Sequence, residues 1–100
     1  MPNAALFIEL KAKPGREEAV ASFLADQRSV VAIESGNLMW VVLRFDTRSF
    51  AVLDVFDDTA ARRAHFNGNV MKALKERAPD LLDGEPVIRS ADVTAGYTRA

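Results

Sequence analysis

The sequence predicts an α+β fold with the element order β-α-β-β-α-β. Three observations lead to this prediction. Apolar residues alternate with a period of two in several short segments, and they recur at spacings of three and four in two longer ones. Glycine, proline or short polar runs separate these segments. Elements in this order form an antiparallel sheet with both helices on one face, which is the ferredoxin-like arrangement.

The first strand and helix occupy the N-terminal third of the chain. Residues 5–12 alternate between apolar and mixed positions, which predicts a strand, and Pro14-Gly15 ends it. Apolar spacings of three and four then predict one continuous helix over residues 16–32. Gly36 is the predicted stop of this helix, because glycine readily adopts a positive φ.

A β-hairpin follows, with strands over residues 39–45 and 50–56 and a turn over 46–49. Both strands carry large apolar side chains on both faces. A sheet with one face in water shows a cleaner alternation of apolar and polar residues. We therefore expect one face to meet the helices and the other to meet a second subunit.

The second helix begins at Asp57-Asp58-Thr59, whose side chains are good N-caps. We expect Ala60, Ala61 and Ala64 to face inward, and the sequence Asn67-Gly68-Asn69 to kink or break the helix. The apolar pattern resumes as far as Pro79, and residues 87–93 form the last predicted strand.

Composition limits the classes of function. One hundred residues predict a single domain, 1–100, and a net charge of −1 without a basic stripe argues against nucleic acid as a partner. The absence of cysteine excludes disulfides and a cysteine nucleophile, and suits a cytoplasmic protein. We find no signal-peptide pattern, no membrane-length apolar run, no metal-ligand cluster and no nucleotide fingerprint. We therefore expect no membrane association, no metal and no cofactor.

Several stretches together resemble the antibiotic biosynthesis monooxygenase family. They are ESGNL at 34–38, FAVLDVFDD at 50–58, ARRAHFNGNV at 61–70 and KERAPDLL at 75–82. The similarity extends from about residue 5 to about residue 95 and implies a dimeric α/β barrel, in which two ferredoxin-like subunits join their sheet faces. Similar proteins include cofactor-independent oxygenases of quinols or polyketide phenols, haem-degrading enzymes, isomerases of small carbonyl compounds, and proteins without known activity.

The resemblance leads to three functional hypotheses. The first is a cofactor-independent monooxygenase that oxidises a small phenolic or quinol-like compound with dioxygen. The second is a non-catalytic small-molecule-binding or stress-associated protein of the same fold, and the third is an isomerase of a small carbonyl compound. Fold membership does not choose among them. Haem is disfavoured, because the haem-degrading branch has an axial histidine after the helix break, where this chain has Met71 and Lys72.

His65 is the single histidine and the candidate general base, since an imidazole titrates near neutral pH. The alternative is a structural histidine that is hydrogen-bonded to a sheet residue such as Asp54. Asp54 stands in an apolar strand, where a buried carboxylate needs a partner. It would orient His65, accept a hydrogen bond from a backbone or arginine donor, or form a structural ion pair.

Three further residues are candidates for binding the substrate. Trp40 offers a flat aromatic wall and an indole donor, although a core or interface tryptophan would look the same. Asn69 is placed to hydrogen-bond a substrate carbonyl, although helix capping alone would explain it. Phe56 is expected to line a small apolar pocket between sheet and helices, together with Trp40 and His65.

Overall fold

A computed structural model describes residues 3–97 and 99 of the chain. The ends of the predicted domain, residues 1, 2, 98 and 100, lie outside this description. The strands are β1 (Ala4–Lys11), β2 (Asn37–Arg44), β3 (Ser49–Phe56) and β4 (Val87–Asp92). The helices are α1 (Glu17–Asp26), α2 (Arg28–Ala32), α3 (Thr59–Phe66) and α4 (Asn69–Leu81).

The four strands form one antiparallel sheet in the order β2-β3-β1-β4. This order confirms the predicted ferredoxin-like α+β fold. The register places Ile8 opposite both Val52 and Ile88, and Trp40 opposite Asp54. Because side chains alternate across a strand, these residues share the face on which the helices pack.

Two helix predictions are wrong. The predicted continuous helix over residues 16–32 is interrupted at Gln27, whose N–H bonds to the carbonyl of Leu24, three residues back, and so tightens the turn between α1 and α2. Ala60 and Ala64 are exposed, because α3 presents His65 to the sheet. The predicted break at Asn67-Gly68-Asn69 is present, between α3 and α4.

The core lies between the helices and one sheet face, and it consists of two apolar clusters. The larger one joins β1 and β3 to α1 and α4 through residues that include Ile8, Val52, Phe23, Leu24, Met71 and Leu74. The smaller one contains Ala4, Leu6 and Phe56, with Ala61 of α3 packed against it. Leu81 and Leu82 are buried and fix the end of α4 to the core.

The opposite sheet face, which we call the open sheet face, is apolar and partly exposed. It carries Met39, Val41, Leu43, Leu53 and Val55, none of which is fully buried. Leu43 is 38% exposed. Within the described residues, no helix is long and apolar enough to cross a bilayer.

Candidate functional site

The candidate site begins with the way α3 is set against the sheet. The Asp58 carboxylate accepts a hydrogen bond of 2.8 Å from the Ala61 N–H and caps the start of the helix. His65 lies in the last turn, where a positive charge interacts favourably with the helix dipole. Its side chain points toward β3 and is almost completely buried, with the residue 3% exposed.

Two carboxylates flank the imidazole of His65. Its Nε2 lies 2.7 Å from Oδ2 of Asp54, and its Nδ1 lies 2.5 Å from Oε1 of Glu34. We call these three residues the Glu34–His65–Asp54 cluster. An imidazolium directs one N–H group toward each carboxylate, in a hydrogen bond to Glu34 and in a close ion-pair contact with Asp54. The structure thus brings the sequence candidates His65 and Asp54 together and adds Glu34, which the sequence analysis missed.

The cluster perturbs the ionisation of its buried members. Burial alone would lower the pKa of His65, but the hydrogen bonds and negative charges of Asp54 and Glu34 outweigh it and raise that pKa above 6.5. Burial raises the pKa of Asp54 above 3.8, against the opposing effect of His65. The geometry and the pKa of His65 both favour an imidazolium, which has no free lone pair.

Two polar atoms beside the cluster lack partners within the described residues. They are Oδ1 of Asp54 and the indole Nε1 of Trp40, both buried, on residues that pair across β2 and β3. Oδ2 of Asp54 is close to His65 but poorly aligned for a hydrogen bond. Incompletely satisfied polar groups are uncommon in folded proteins, and Nε of Arg16 and Nδ2 of Asn37 are further examples in the described residues.

An inner cavity lies on the core side of His65. It has a volume of about 20 Å³ and is lined by His65, Trp40, Gln27 and apolar side chains of the core. That volume holds about one water-sized molecule and no aromatic ring. The predicted apolar pocket is therefore present beside Trp40 and His65, but it is too small for a phenolic substrate.

Phe56 does not line this cavity, which corrects the predicted pocket. The residue is fully buried in the smaller apolar cluster, and its ring packs against His65 with 5.3 Å between ring centroids. Because Phe56 and Asp54 lie on the same face of β3, Phe56 supports the imidazole from the side and makes no contribution to a cavity wall.

An outer groove lies on the solvent side of His65, at the break between α3 and α4. Its volume is about 340 Å³, within the range of small-molecule sites. Ala61, Ala64 and Gly68 leave space in it, while the polar lining comes from Glu34, Ser35, His65, Asn67, Asn69 and Lys72. Asn69 thus lies beside His65, whereas Trp40 lines the inner cavity and not the groove.

Glu34 reaches His65 because the turn after α2, which carries Glu34, packs closely against α3, which carries His65. The amide of Asp57 donates a bond of 3.0 Å to the carbonyl of Gly36. A Cβ on Gly36 would lie 2.7 Å from the Cβ of Ala61, so only glycine permits this approach. The sequence signal for Glu34 was its position beside Gly36, which indicates a turn but not the partner of the carboxylate.

The arrangement is a linear chain of three ionisable groups in close contact, not a metal site. The two carboxylates contact opposite ring nitrogens and so do not converge on one point. Accordingly, no group of histidine, aspartate or glutamate side chains in residues 3–97 and 99 is arranged to hold a metal ion. A larger groove of about 440 Å³, between the end of α4 and β4, is lined by none of the three cluster residues.

The fold and the cluster define a ferredoxin-like domain with a buried histidine held between carboxylates. The chain belongs to the antibiotic biosynthesis monooxygenase family, whose family model matches residues 4–77. This match confirms the resemblance found in the sequence. No curated protein matches the chain.

Solved structures give the same fold. A protein of unknown function from Nitrosomonas europaea is 41% identical, with a TM-score of 0.96 over 100% of this chain and 97% of that chain. A protein from Pseudomonas aeruginosa is 23% identical, with a TM-score of 0.80 over 95% and 97% of the two chains. A protein described as an antibiotic biosynthesis monooxygenase is 14% identical, with a TM-score of 0.79 over 92% and 99%. The last two similarities establish the fold alone.

Proposed function

We propose that this chain is a cofactor-independent monooxygenase that oxidises a small phenolic or quinol-like compound with dioxygen. The observation that supports the proposal is the Glu34–His65–Asp54 cluster beneath an open groove. Asp54 and His65 are the buried ionisable side chains of the described residues. A buried chain of such groups is difficult to stabilise and is found preferentially at functional sites.

The outer groove is the proposed binding site, because the inner cavity is too small for an aromatic ring. Asn69 supplies amide hydrogen-bond donors to the substrate oxygen, and Lys72 supplies a positive charge that stabilises an oxyanion. Trp40 and Phe56 do not contact the substrate in this proposal. Both pack near the buried side of His65 and keep water away from it.

The proposed reaction needs a base and an electron-rich substrate. The cluster accepts a proton from the substrate, and the resulting anion transfers an electron to dioxygen. The two radicals combine to form a carbon–oxygen bond in a peroxide anion. This anion takes the proton back from the cluster, and the resulting hydroperoxide loses water to leave a carbonyl group. One oxygen atom of dioxygen enters the product and the other leaves as water. In the keto form of the phenol, as in an anthrone, the reacting carbon is a methylene group. The net reaction therefore converts this methylene group and dioxygen into a carbonyl group and water.

Oxygen consumption tests the proposal. The wild-type protein should consume dioxygen with at least one member of a panel of quinols and anthrones. A His65→Ala and Trp40→Phe double variant should lose about 10²-fold or more in kcat/KM, because it disrupts the cluster. The matched control is Glu18→Gln, an exposed glutamate on α1 that pairs with Arg44 away from the groove. No oxygen uptake across the panel, or full turnover in the double variant, contradicts the proposal.

The alternative is a non-catalytic binding protein of the same fold. The observation that favours it is that both ring nitrogens of His65 are already occupied by carboxylates. Such a protein would bind phenols in the outer groove, measured by calorimetry, without oxygen uptake or any product. A small-carbonyl isomerase would instead show turnover under anaerobic conditions.

We also propose that the chain is a cytoplasmic homodimer joined through the open sheet face. The partly exposed Met39, Val41 and Leu43 support this proposal, because a soluble monomer rarely leaves a continuous apolar sheet face in water. The lack of cysteine supports a reducing compartment.

A further inference from the structure

We infer that Glu34, rather than His65, is the base that accepts the proton of a phenol bound in the outer groove. His65 and Asp54 are then positioning residues that hold the Glu34 carboxylate. The inference rests on the proposed function only in placing a phenol in this groove. It assigns the proton transfer to a residue that the sequence analysis gave only as part of the stretch ESGNL at 34–38.

The first argument concerns the acceptor atoms of His65. An imidazole has two ring nitrogens, and both already face carboxylate oxygens, at 2.5 Å and 2.7 Å. The residue is 3% exposed, so a substrate in the groove meets the edge of the ring at most. For His65 to accept a proton, it would first have to leave one carboxylate partner inside the protein, which is costly.

The second argument concerns the free oxygen of Glu34. Its Oε1 accepts the hydrogen bond from His65, whereas Oε2 lies 3.7 Å from the place that a Cβ on Gly68 would occupy. The Glu34 side chain is 21% exposed and lines the groove. Gly68 therefore leaves Oε2 uncovered on the side where a substrate would bind.

The third argument is the order of the three groups. Asp54 is fully buried behind the imidazole, His65 lies between, and Glu34 is at the surface. This order resembles the logic of a catalytic triad, in which inner groups orient the outer one that reacts. Two further charged side chains lie in this region: Lys72 of α4 lines the same groove as Glu34, and Oδ2 of Asp57 lies 3.9 Å from the place that a Cβ on Gly36 would occupy.

The proton transfer balances within the groove. The phenol O–H bond breaks, a bond from the proton to Oε2 of Glu34 forms, and the electron pair stays on the phenolate oxygen. One negative charge moves from Glu34 to the substrate, so the total charge of the groove does not change. Lys72 lies where it stabilises the phenolate.

Chemical rescue distinguishes a base from a structural residue. With the best substrate of the oxygen-uptake panel, Glu34→Ala should lose about 10²-fold in kcat, and added formate should restore much of that loss. His65→Gln should retain more activity than His65→Ala, since a glutamine N–H can still donate to Glu34. Unchanged kcat in Glu34→Ala, or rescue by imidazole and not by formate, overturns the inference.

An anaerobic titration with 4-nitrophenol separates the failure of this inference from the failure of the proposed function. The absorbance of this probe reports its ionisation and needs no dioxygen. The negative charge of the Glu34 carboxylate disfavours a phenolate beside it, so the bound probe should ionise at higher pH in the wild type than in Glu34→Gln, which keeps the size of the side chain but carries no charge. Equal midpoints in the two proteins overturn the inference, whether or not the wild type consumes oxygen. Glu18→Gln again serves as the control and should match the wild type.

Discussion

Replacing Gly36 by alanine should lower the free energy of unfolding more than the same replacement at Gly15 or Gly84. All three glycines adopt a positive φ, of 86° at Gly15, 83° at Gly36 and 91° at Gly84. An added Cβ meets no atom within 4 Å at Gly15 or Gly84, but at Gly36 it lies 2.7 Å from the Cβ of Ala61. The three sites therefore share the backbone strain and differ in the steric contact.

The expected magnitudes follow from these two effects. A left-handed backbone conformation destabilises the folded alanine variant by about 1–2 kcal/mol. Alanine also lowers the conformational entropy of the unfolded chain, which stabilises the variant by about 0.4–1 kcal/mol. Gly15→Ala and Gly84→Ala should thus lower the free energy of unfolding by about 1 kcal/mol. At Gly36, forcing the turn away from α3 adds about 1–3 kcal/mol, as overpacking does in other cores.

Urea unfolding followed by circular dichroism measures these differences, with all variants at one protomer concentration because association also contributes to stability. The double variant Gly36→Ala with Ala61→Gly removes the opposing methyl group. In the Ala61→Gly background, Gly36→Ala should cost no more than Gly15→Ala. Equal costs at Gly36 and Gly15 within about 0.5 kcal/mol, or no relief from Ala61→Gly, would refute the steric argument.

Three further predictions concern the cluster and the open sheet face. Asp54→Ala should lower the free energy of unfolding by about 3–5 kcal/mol in urea, because it leaves His65 without one buried partner; a cost equal to that of an exposed substitution would contradict this. The folded pKa of His65 is raised above 6.5, so its contribution to stability is complete below that pH and is lost as pH rises through the folded value. Thermal unfolding measured from about pH 6 upward should show this loss, and His65→Gln should flatten the profile; identical profiles of the two proteins would refute the assignment. Burial also raises the pKa of Asp54, so its contribution is lost in the same direction, beginning above its ordinary value of 3.8. Val41→Lys places a charge on the open sheet face and should shift sedimentation from dimer to monomer, while a sedimentation coefficient equal to that of the wild type would argue against this interface.

The fold could be predicted from the sequence because its signals are local. Strand periodicity placed the strands within about two residues of their observed bounds, and Pro14-Gly15, Gly36 and the Asn67-Gly68-Asn69 break marked real boundaries. Gln27 was missed because apolar spacings continue across it, while the interruption consists of one backbone bond to Leu24. The spacing of apolar residues indicates which face of a helix is buried. It does not indicate where a backbone N–H bonds three residues back instead of four.

The site was only partly predictable, because it depends on contacts between distant residues. The pairing of Asp54 with His65 was one of several predicted alternatives, since a carboxylate in an apolar strand needs a partner. Glu34 lies 31 residues from His65 in sequence, and nothing near it indicates that contact. The size of the inner cavity depends on how side chains from several elements fill the core, which no single segment determines.

The strand order has a consequence for how the protein behaves at high concentration. It leaves β2 and β4 at the two edges of the sheet, and all six residues of β4 are exposed. A free edge is a template for strand addition from another molecule, and charges and irregular pairing oppose this. β4 carries Arg89 and Asp92, and the pairing of β2 shifts register between Asn37 and Met39. These edge residues take no part in the outer groove and oppose strand addition, so the sheet can offer an apolar face to a partner while its edges disfavour polymerisation.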